Sequence, residues 1–213
     1  GLNTVLIDES VKHFNLALEN KPSYIEAKAG LSIAYGMLVS EKHLLAINNT
    51  ERNKAYQKAI KRTIKGNEIV LEIGIGPGTI SMIAADAGAA EVTKCTCSKT
   101  LSSVTNSIIS QNKRNKSVNT LLKSSMQIVP GKDISNKADL IISDFMSVDF
   151  TERNVLSSIQ DANLRLLSET GKMIPESAEI RVALLGEGSE VTDLLRVETV
   201  NGYNLSEFNK IMR

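Results

Sequence analysis

Ile69-Val70-Leu71-Glu72-Ile73-Gly74-Ile75-Gly76-Pro77-Gly78-Thr79-Ile80-Ser81-Met82 is the stretch that decides the fold. It reads as a short buried strand, a glycine loop and the apolar start of a helix. Three glycines within five residues let the backbone turn sharply and approach a ligand where a Cβ would collide. An acidic residue, Glu72, stands two places before the first glycine. This is the layout of a nucleoside-cofactor pocket at the carboxyl end of the first strand of an α/β sheet.

The spacing of the loop narrows the nucleoside. A dinucleotide fingerprint needs G-x-G-x-x-G, whose last glycine lets helix and strand pack closely. Here the third glycine comes one residue early and Thr79 takes the expected position. The loop reads G-x-G-x-G, the form common in S-adenosylmethionine-dependent methyltransferases, and it disfavours a nicotinamide-dependent oxidoreductase. By itself the same spacing also fits an ordinary glycine turn between strand and helix.

Working outward, 213 residues leave room for one α/β domain and a small appendage. Lys and Arg number 25 against 24 Asp and Glu, a formal net charge of +1. That balance gives no reason to expect direct nucleic-acid binding, and no charge run suggests a membrane surface. No apolar run is long enough to span a bilayer, and no signal-peptide pattern opens the chain. The first residue is Gly rather than Met, which reads as a piece or a processed form of a longer chain. The two cysteines, Cys95 and Cys97, alternate along an expected strand, so they point to opposite faces. They read as free thiols of a reducing cytoplasm and/or nucleus rather than as a disulfide or a zinc site.

Before the glycine loop, residues 11–37 read as a helical hairpin. Val11, Phe14, Ala17 and Leu18 form one apolar stripe, Lys21-Pro22 breaks the helix, and Ala27, Leu31, Ala34 and Tyr35 resume the period. The run resembles a tetratricopeptide repeat, a unit that cannot bury its faces singly, so further copies are expected ahead of it. An ordinary helical extension packed on the sheet fits the same pattern. A third helix is expected at 49–65, with Tyr56, Ala59, Ile60 and Ile64 as its stripe and Arg52 one turn before Tyr56. Beyond it, strands are expected at 69–73, 91–95, 118–122, 139–142 and 172–174, and helices at 79–87, 99–112 and 154–167. Crossovers of this length imply a mostly parallel sheet with right-handed connections. After Pro175, segments 179–185 and 195–200 read as strands of a following antiparallel unit.

Several separated motifs agree on one family. His43 is followed nine residues later by Arg52-Asn53 and then Tyr56. The glycine loop, DAGAAEV at 86–92, CSK at 97–99, ADLIISD at 138–144, GKMIPESA at 171–178 and NGYNLSEFNK at 201–210 follow in order. With these pieces the chain resembles the protein arginine methyltransferases over residues 43–213. The hairpin resembles the branch with tetratricopeptide repeats ahead of the catalytic domain. The resemblance implies a Rossmann-like class I methyltransferase sheet with an N-terminal helical extension and the start of a C-terminal β-barrel. The boundaries expected are 1–40 for the hairpin, 41–177 for the S-adenosylmethionine-binding domain and 178–213 for the barrel start.

The same resemblance assigns roles. Arg52 would pair with the cofactor's carboxylate, as a guanidinium fork can, with a surface ion pair to Glu51 as the plainer alternative. His43 would line that pocket, and Gly74, Gly76 and Gly78 would run beneath the cofactor, with Glu72 in place of the family's aspartate. Three departures stand out. Thr96 occupies the position of the acidic residue that holds the ribose hydroxyls, a loss of about 1–3 kcal/mol in cofactor binding. At the catalytic loop Asp144 matches the first of two substrate-gripping glutamates. Arg153 falls on the second unless Glu152 or Asp149 replaces it, and Asp144 and Glu152 would also serve as plain helix caps. Finally, a histidine-bearing loop and a dimerisation arm of the family lie beyond the last residue.

The activity expected is S-adenosylmethionine-dependent methyl transfer to a guanidinium nitrogen of protein arginine, weakened by these departures. The competing expectation is an inactive methyltransferase-fold scaffold that binds protein partners. The partner expected is a protein with an exposed arginine, with dimerisation in a longer form, and no membrane.

Overall fold

The structure is a computed structural model that describes residues 2–143 and 155–179 together with 199–200 and 203–204. It divides into two units, Gly1–Ser177 and Ala178–Arg213.

The larger unit begins with α1 (Leu2–Asn20) and α2 (Ile25–Leu38), antiparallel neighbours joined by a four-residue turn around Pro22. They meet through Val11, Ala34 and Leu38, backed by Ile7 and Leu31. Gly30 of α2 is where the two helices come closest, since a Cβ there would fall inside the ring of Phe14. A short helix that the periodicity does not announce follows, α3 (Glu41–Asn48), and then α4 (Thr50–Thr63). The Asn49 side chain caps α4 by accepting from the Arg52 amide at 3.0 Å, which fixes where that helix starts.

Five parallel strands then form one sheet in the order β3-β2-β1-β4-β5. They are β1 (Ile69–Ile73), β2 (Glu91–Thr96), β3 (Asn119–Leu122), β4 (Ala138–Ser143) and β5 (Leu167–Ile174). Helices α5 (Thr79–Asp86) and α6 (Lys99–Gln111) make the first two crossovers. This is the doubly wound pattern that the alternation of elements predicts, and the order reverses between β1 and β4, where such sheets bind ligands. On one face Val70, Val92, Leu140 and Ile142 pack against Ile60 of α4 and Ile64 just past its end, Ile80 and Ala84 of α5 and Ile109 of α6. On the other, Leu71, Ile73, Cys95 and Ile141 pack against Ile128, Ile134, Ala162 and Leu166. Each fully buried aliphatic side chain contributes about 1.5–3 kcal/mol, so the two layers fix the sheet and with it the loop after β1.

The C-terminal part of this unit departs from the sequence expectation. Helix α7 spans only Val155–Asp161, a π-helical turn occupies Ala162–Leu166, and β5 starts at Leu167 rather than at 172. Arg165 in that turn reaches back to the Ile128 and Ser125 carbonyls and pairs with Asp161 at 2.7 Å. The cost of the wider turn is met by long-range bonds that periodicity cannot register. In the smaller unit Thr199–Val200 pairs antiparallel with Tyr203–Asn204. Residues 180–198, which hold most of the two strands expected there, lie outside the described residues. Among the described residues no helix is long and apolar enough to cross a membrane.

Candidate cofactor site

The loop after β1 is shaped by backbone torsions that favour glycine. Gly74 has φ 151° and Gly78 has φ 90°, both on the left-handed side. Gly78 is also the N-cap of α5, and a Cβ on it would stand 3.2 Å from Thr105 and 3.4 Å from Ile109 of α6. The second observation is the cradle a cofactor loop needs: backbone that lies against a neighbouring helix with no room for a side chain.

Facing the loop is a cavity of about 190 Å³. Val39, Ile47 and His43 of the α3 region, Arg52 of α4, Ile75, Gly76 and Pro77 of the loop, and Leu101, Val104 and Thr105 of α6 line it. The structure thus brings His43 and Arg52, from two consecutive helices, and Gly76, 24 residues beyond Arg52, to one concavity. His43 is half-buried and its Nδ1 lies 2.7 Å from the Ser40 hydroxyl, which orients the ring. Arg52 lays its guanidinium 4.6 Å from the centre of the Tyr56 ring. Glu51, its neighbour, pairs with Lys54 at 3.2 Å. Tyr56 in turn donates its hydroxyl to the Ser143 carbonyl at 3.1 Å, joining α4 to the carboxyl end of β4. A smaller concavity between Arg52, Asn53, Tyr56 and Pro77 is bordered by Glu72.

Glu72 is fully buried and its carboxylate is engaged within the protein. One oxygen accepts the Ser81 amide at 2.9 Å and the Ser81 hydroxyl at 2.5 Å, and the other accepts the Lys94 ammonium at 2.7 Å. Lys94, 1% exposed, also donates to the Gly74 carbonyl at 3.2 Å. This ion pair is absent from the expectations above. Its signal was partly present, because Glu72 is the one charged residue in the apolar strand β1, and a buried charge needs a partner. Thr96 closes β2, 6% exposed, and its Oγ1 has no hydrogen-bond partner among the described residues. Gly74 and Gly78 shape the loop rather than line the larger cavity. Asp144 and Glu152, with Asp149 and Arg153, lie outside the described residues.

A second carboxylate escaped the sequence reading. Asp8 of α1 accepts from the Ser98 hydroxyl at 2.8 Å and from the amides of Lys99 and Thr100 at 2.8 and 3.1 Å. It thereby latches the hairpin onto the N-terminus of α6, the helix that forms one wall of the cavity. Burial pushes the Asp8 carboxyl up. The hydrogen bonds from the Thr100 and Ser98 side chains and the Lys99 and Thr100 amides outweigh burial and hold it below its ordinary value. Cys95 is buried and Cys97 exposed, both free, and burial pushes the Cys95 thiol up to about 12. Among the described residues no cluster of His, Cys, Asp or Glu is arranged to hold a metal ion.

With this geometry in place, likeness to known proteins is informative. The chain is 30% identical over 169 residues to the arginine N(omega)-methyltransferase of Streptomyces achromogenes subsp. streptozoticus, covering 79% of this chain and 46% of that protein. It is 29% identical over 186 residues to human protein arginine N-methyltransferase 9, covering 81% of this chain and 22% of that protein. It therefore spans less than half the length of the curated relatives it matches. Among solved structures, the Trypanosoma brucei PRMT1 enzyme-prozyme heterotetrameric complex with AdoHcy superposes with a TM-score of 0.65 at 23% identity. That match covers 80% of this chain and 53% of the other. No family model matches the chain.

Proposed function

We propose that this chain, a relative of the arginine methyltransferases with their class I sheet, binds S-adenosylmethionine and transfers its methyl group to a guanidinium nitrogen of arginine in a protein. The observation that carries the reading is the cavity lined jointly by His43, Arg52 and Gly76, beside the loop after the first strand of a parallel sheet. When bound, the cofactor supplies an electrophilic methyl on a sulfonium. The residues of this chain fit it. The loop of Gly74, Gly76 and Gly78 gives backbone access, and Arg52, stacked on Tyr56, presents a cation for an amino-acid carboxylate. His43, held by Ser40, walls off the same end. Asp144 and Glu152 are assigned to the substrate guanidinium, which carboxylates would grip and align, so that positioning and electrostatics lower the barrier.

Thr96 supports a second reading, a methyltransferase-fold scaffold for protein partners. Its hydroxyl cannot carry the charge that would hold a ribose, and the Glu72 carboxylate is already bound to Ser81 and Lys94. We assign residues 1–40 to a tetratricopeptide-like unit, supported by outward-facing Ile25, Ile33 and Met37. Residues 41–177 are assigned to the cofactor domain and 178–213 to the start of a β-barrel, with dimerisation in a longer form. The free thiols support a reducing compartment, cytoplasm and/or nucleus.

Calorimetric titration with S-adenosylmethionine, paired with a radiolabelled methyl-transfer assay, tests these readings. The methyl acceptors are an arginine-rich protein and, separately, free arginine. Weak cofactor binding with slow labelling of the protein is the expected result. Labelling of free arginine alone would replace the protein substrate. Binding without transfer to either acceptor, or no binding at all, would leave the scaffold.

A further inference from the structure

We propose that Lys94 is a specificity-determining residue. It neutralises the floor of the glycine loop, and so removes the preference of that loop for the sulfonium cofactor over its thioether product. The inference rests on the S-adenosylmethionine reading and goes beyond it.

The geometry is specific. Glu72 and Lys94 are direct register partners on the adjacent parallel strands β1 and β2. Both are within 1% of complete burial, so water does not screen their charges. The pair holds the two ends of the loop at once. Lys94 donates to Gly74 at its start, and Glu72 accepts from Ser81 in the first turn of the helix that follows. The pair thus lies beneath the loop, and its carboxylate end faces the smaller concavity. Glu72 itself borders the smaller concavity beside Arg52.

Charge arithmetic gives the consequence. One carboxylate and one ammonium 2.7 Å apart sum to zero. S-adenosylmethionine and S-adenosylhomocysteine differ by a methyl group and by the positive charge that it places on sulfur. A neutral floor attracts both alike. A bare Glu72 carboxylate would favour the cation, and a bare Lys94 ammonium would favour the neutral thioether, both strongly in a poorly solvated site. In this chain the pair therefore permits the product to remain bound nearly as well as the methyl donor.

The test measures affinities of both nucleosides by calorimetry on the 213-residue chain and on four variants. Lys94→Met is expected to raise the ratio of S-adenosylmethionine to S-adenosylhomocysteine affinity roughly fivefold or more, and Glu72→Gln to lower it by about as much. The double variant is expected to return the ratio to within about twofold of the parent, and Lys94→Arg, which keeps the charge, to leave it there. A purely structural pair would weaken both ligands together. An unchanged ratio in Lys94→Met and Glu72→Gln, with binding retained by the parent, therefore overturns this inference alone. Failure of the parent to bind either nucleoside overturns it together with the cofactor reading. Circular dichroism confirms folding, and the uncharged polar Lys94→Gln replaces Lys94→Met should that variant unfold.

Discussion

Two helices in this molecule begin against a carboxylate from elsewhere in the chain, and the two cases are solved differently. At α5 the carboxylate is Glu72, nine residues before the Ser81 amide that donates to it and completely buried. At α6 it is Asp8, which lies 90 residues before Ser98 and is only half-buried. Both oppose the partial positive charge of a helix start. Glu72 requires a full countercharge, Lys94, because a lone ion deep in the sheet would cost several kcal/mol. Asp8 manages with the neutral donors of Ser98, Lys99 and Thr100, because solvent still reaches it. Depth, more than the helix, decides whether a counterion is needed.

The comparison is broken most severely by Glu72→Leu. Leaving Lys94 buried without its partner is expected to destabilise the fold by about 3–5 kcal/mol in urea denaturation. Glu72→Leu combined with Lys94→Met is expected to recover most of that loss. Gly78→Ala comes next. It forces a side chain into φ 90° and toward Thr105, with an expected cost of about 1–3 kcal/mol and weaker nucleoside binding by titration.

Asp8→Asn is expected to cost roughly 1–2 kcal/mol, as the loss of a charged cap does. Its pH dependence sharpens the contrast. The folded carboxyl titrates below its ordinary value of 3.8. Its stabilisation is thus complete above that value and disappears as pH falls through the folded pKa. The stability gap between the parent and Asp8→Asn should hold steady from about pH 5 to 8 and close below about pH 4. Ser98→Ala should have the smallest effect, about 0.5–1 kcal/mol, because Asp8 still serves the Lys99 and Thr100 amides. A loss as large as that of Asp8→Asn would show that the bond from the Leu101 amide to the Ser98 hydroxyl, at 3.1 Å, matters as much as the distant carboxylate.

The same contrast explains what the sequence disclosed. The strand, loop and start of α5 were legible because every requirement there is local: an apolar run, glycines at strained torsions and an amphipathic helix. The parallel order of the sheet followed from the alternation of elements. Arg52 was legible through its one-turn spacing to Tyr56, although the stacking and the Ser143 bond were not. Lys94 stood in a strand that also holds Glu91, Thr93 and Thr96, and its partner is set by the register of β1 on β2. Asp8 carries no local mark at all, since its meaning depends on how the hairpin docks. Helix α3 escaped because it has only eight residues, with Leu44 and Leu45 turned outward. The boundary at Leu167 was misplaced because the π-helical turn is bound by Arg165 to carbonyls about 40 residues away.

The hydroxyl of Tyr56 deserves a mechanical reading. By donating to the last residue of β4 while its ring carries the Arg52 guanidinium, it acts as a strut between α4 and the carboxyl end of the sheet. Traction on Arg52 by an anionic tail would be transmitted through one rigid aromatic ring to Ser143. A displacement of the Arg52 side chain would thereby be felt at the carboxyl end of β4.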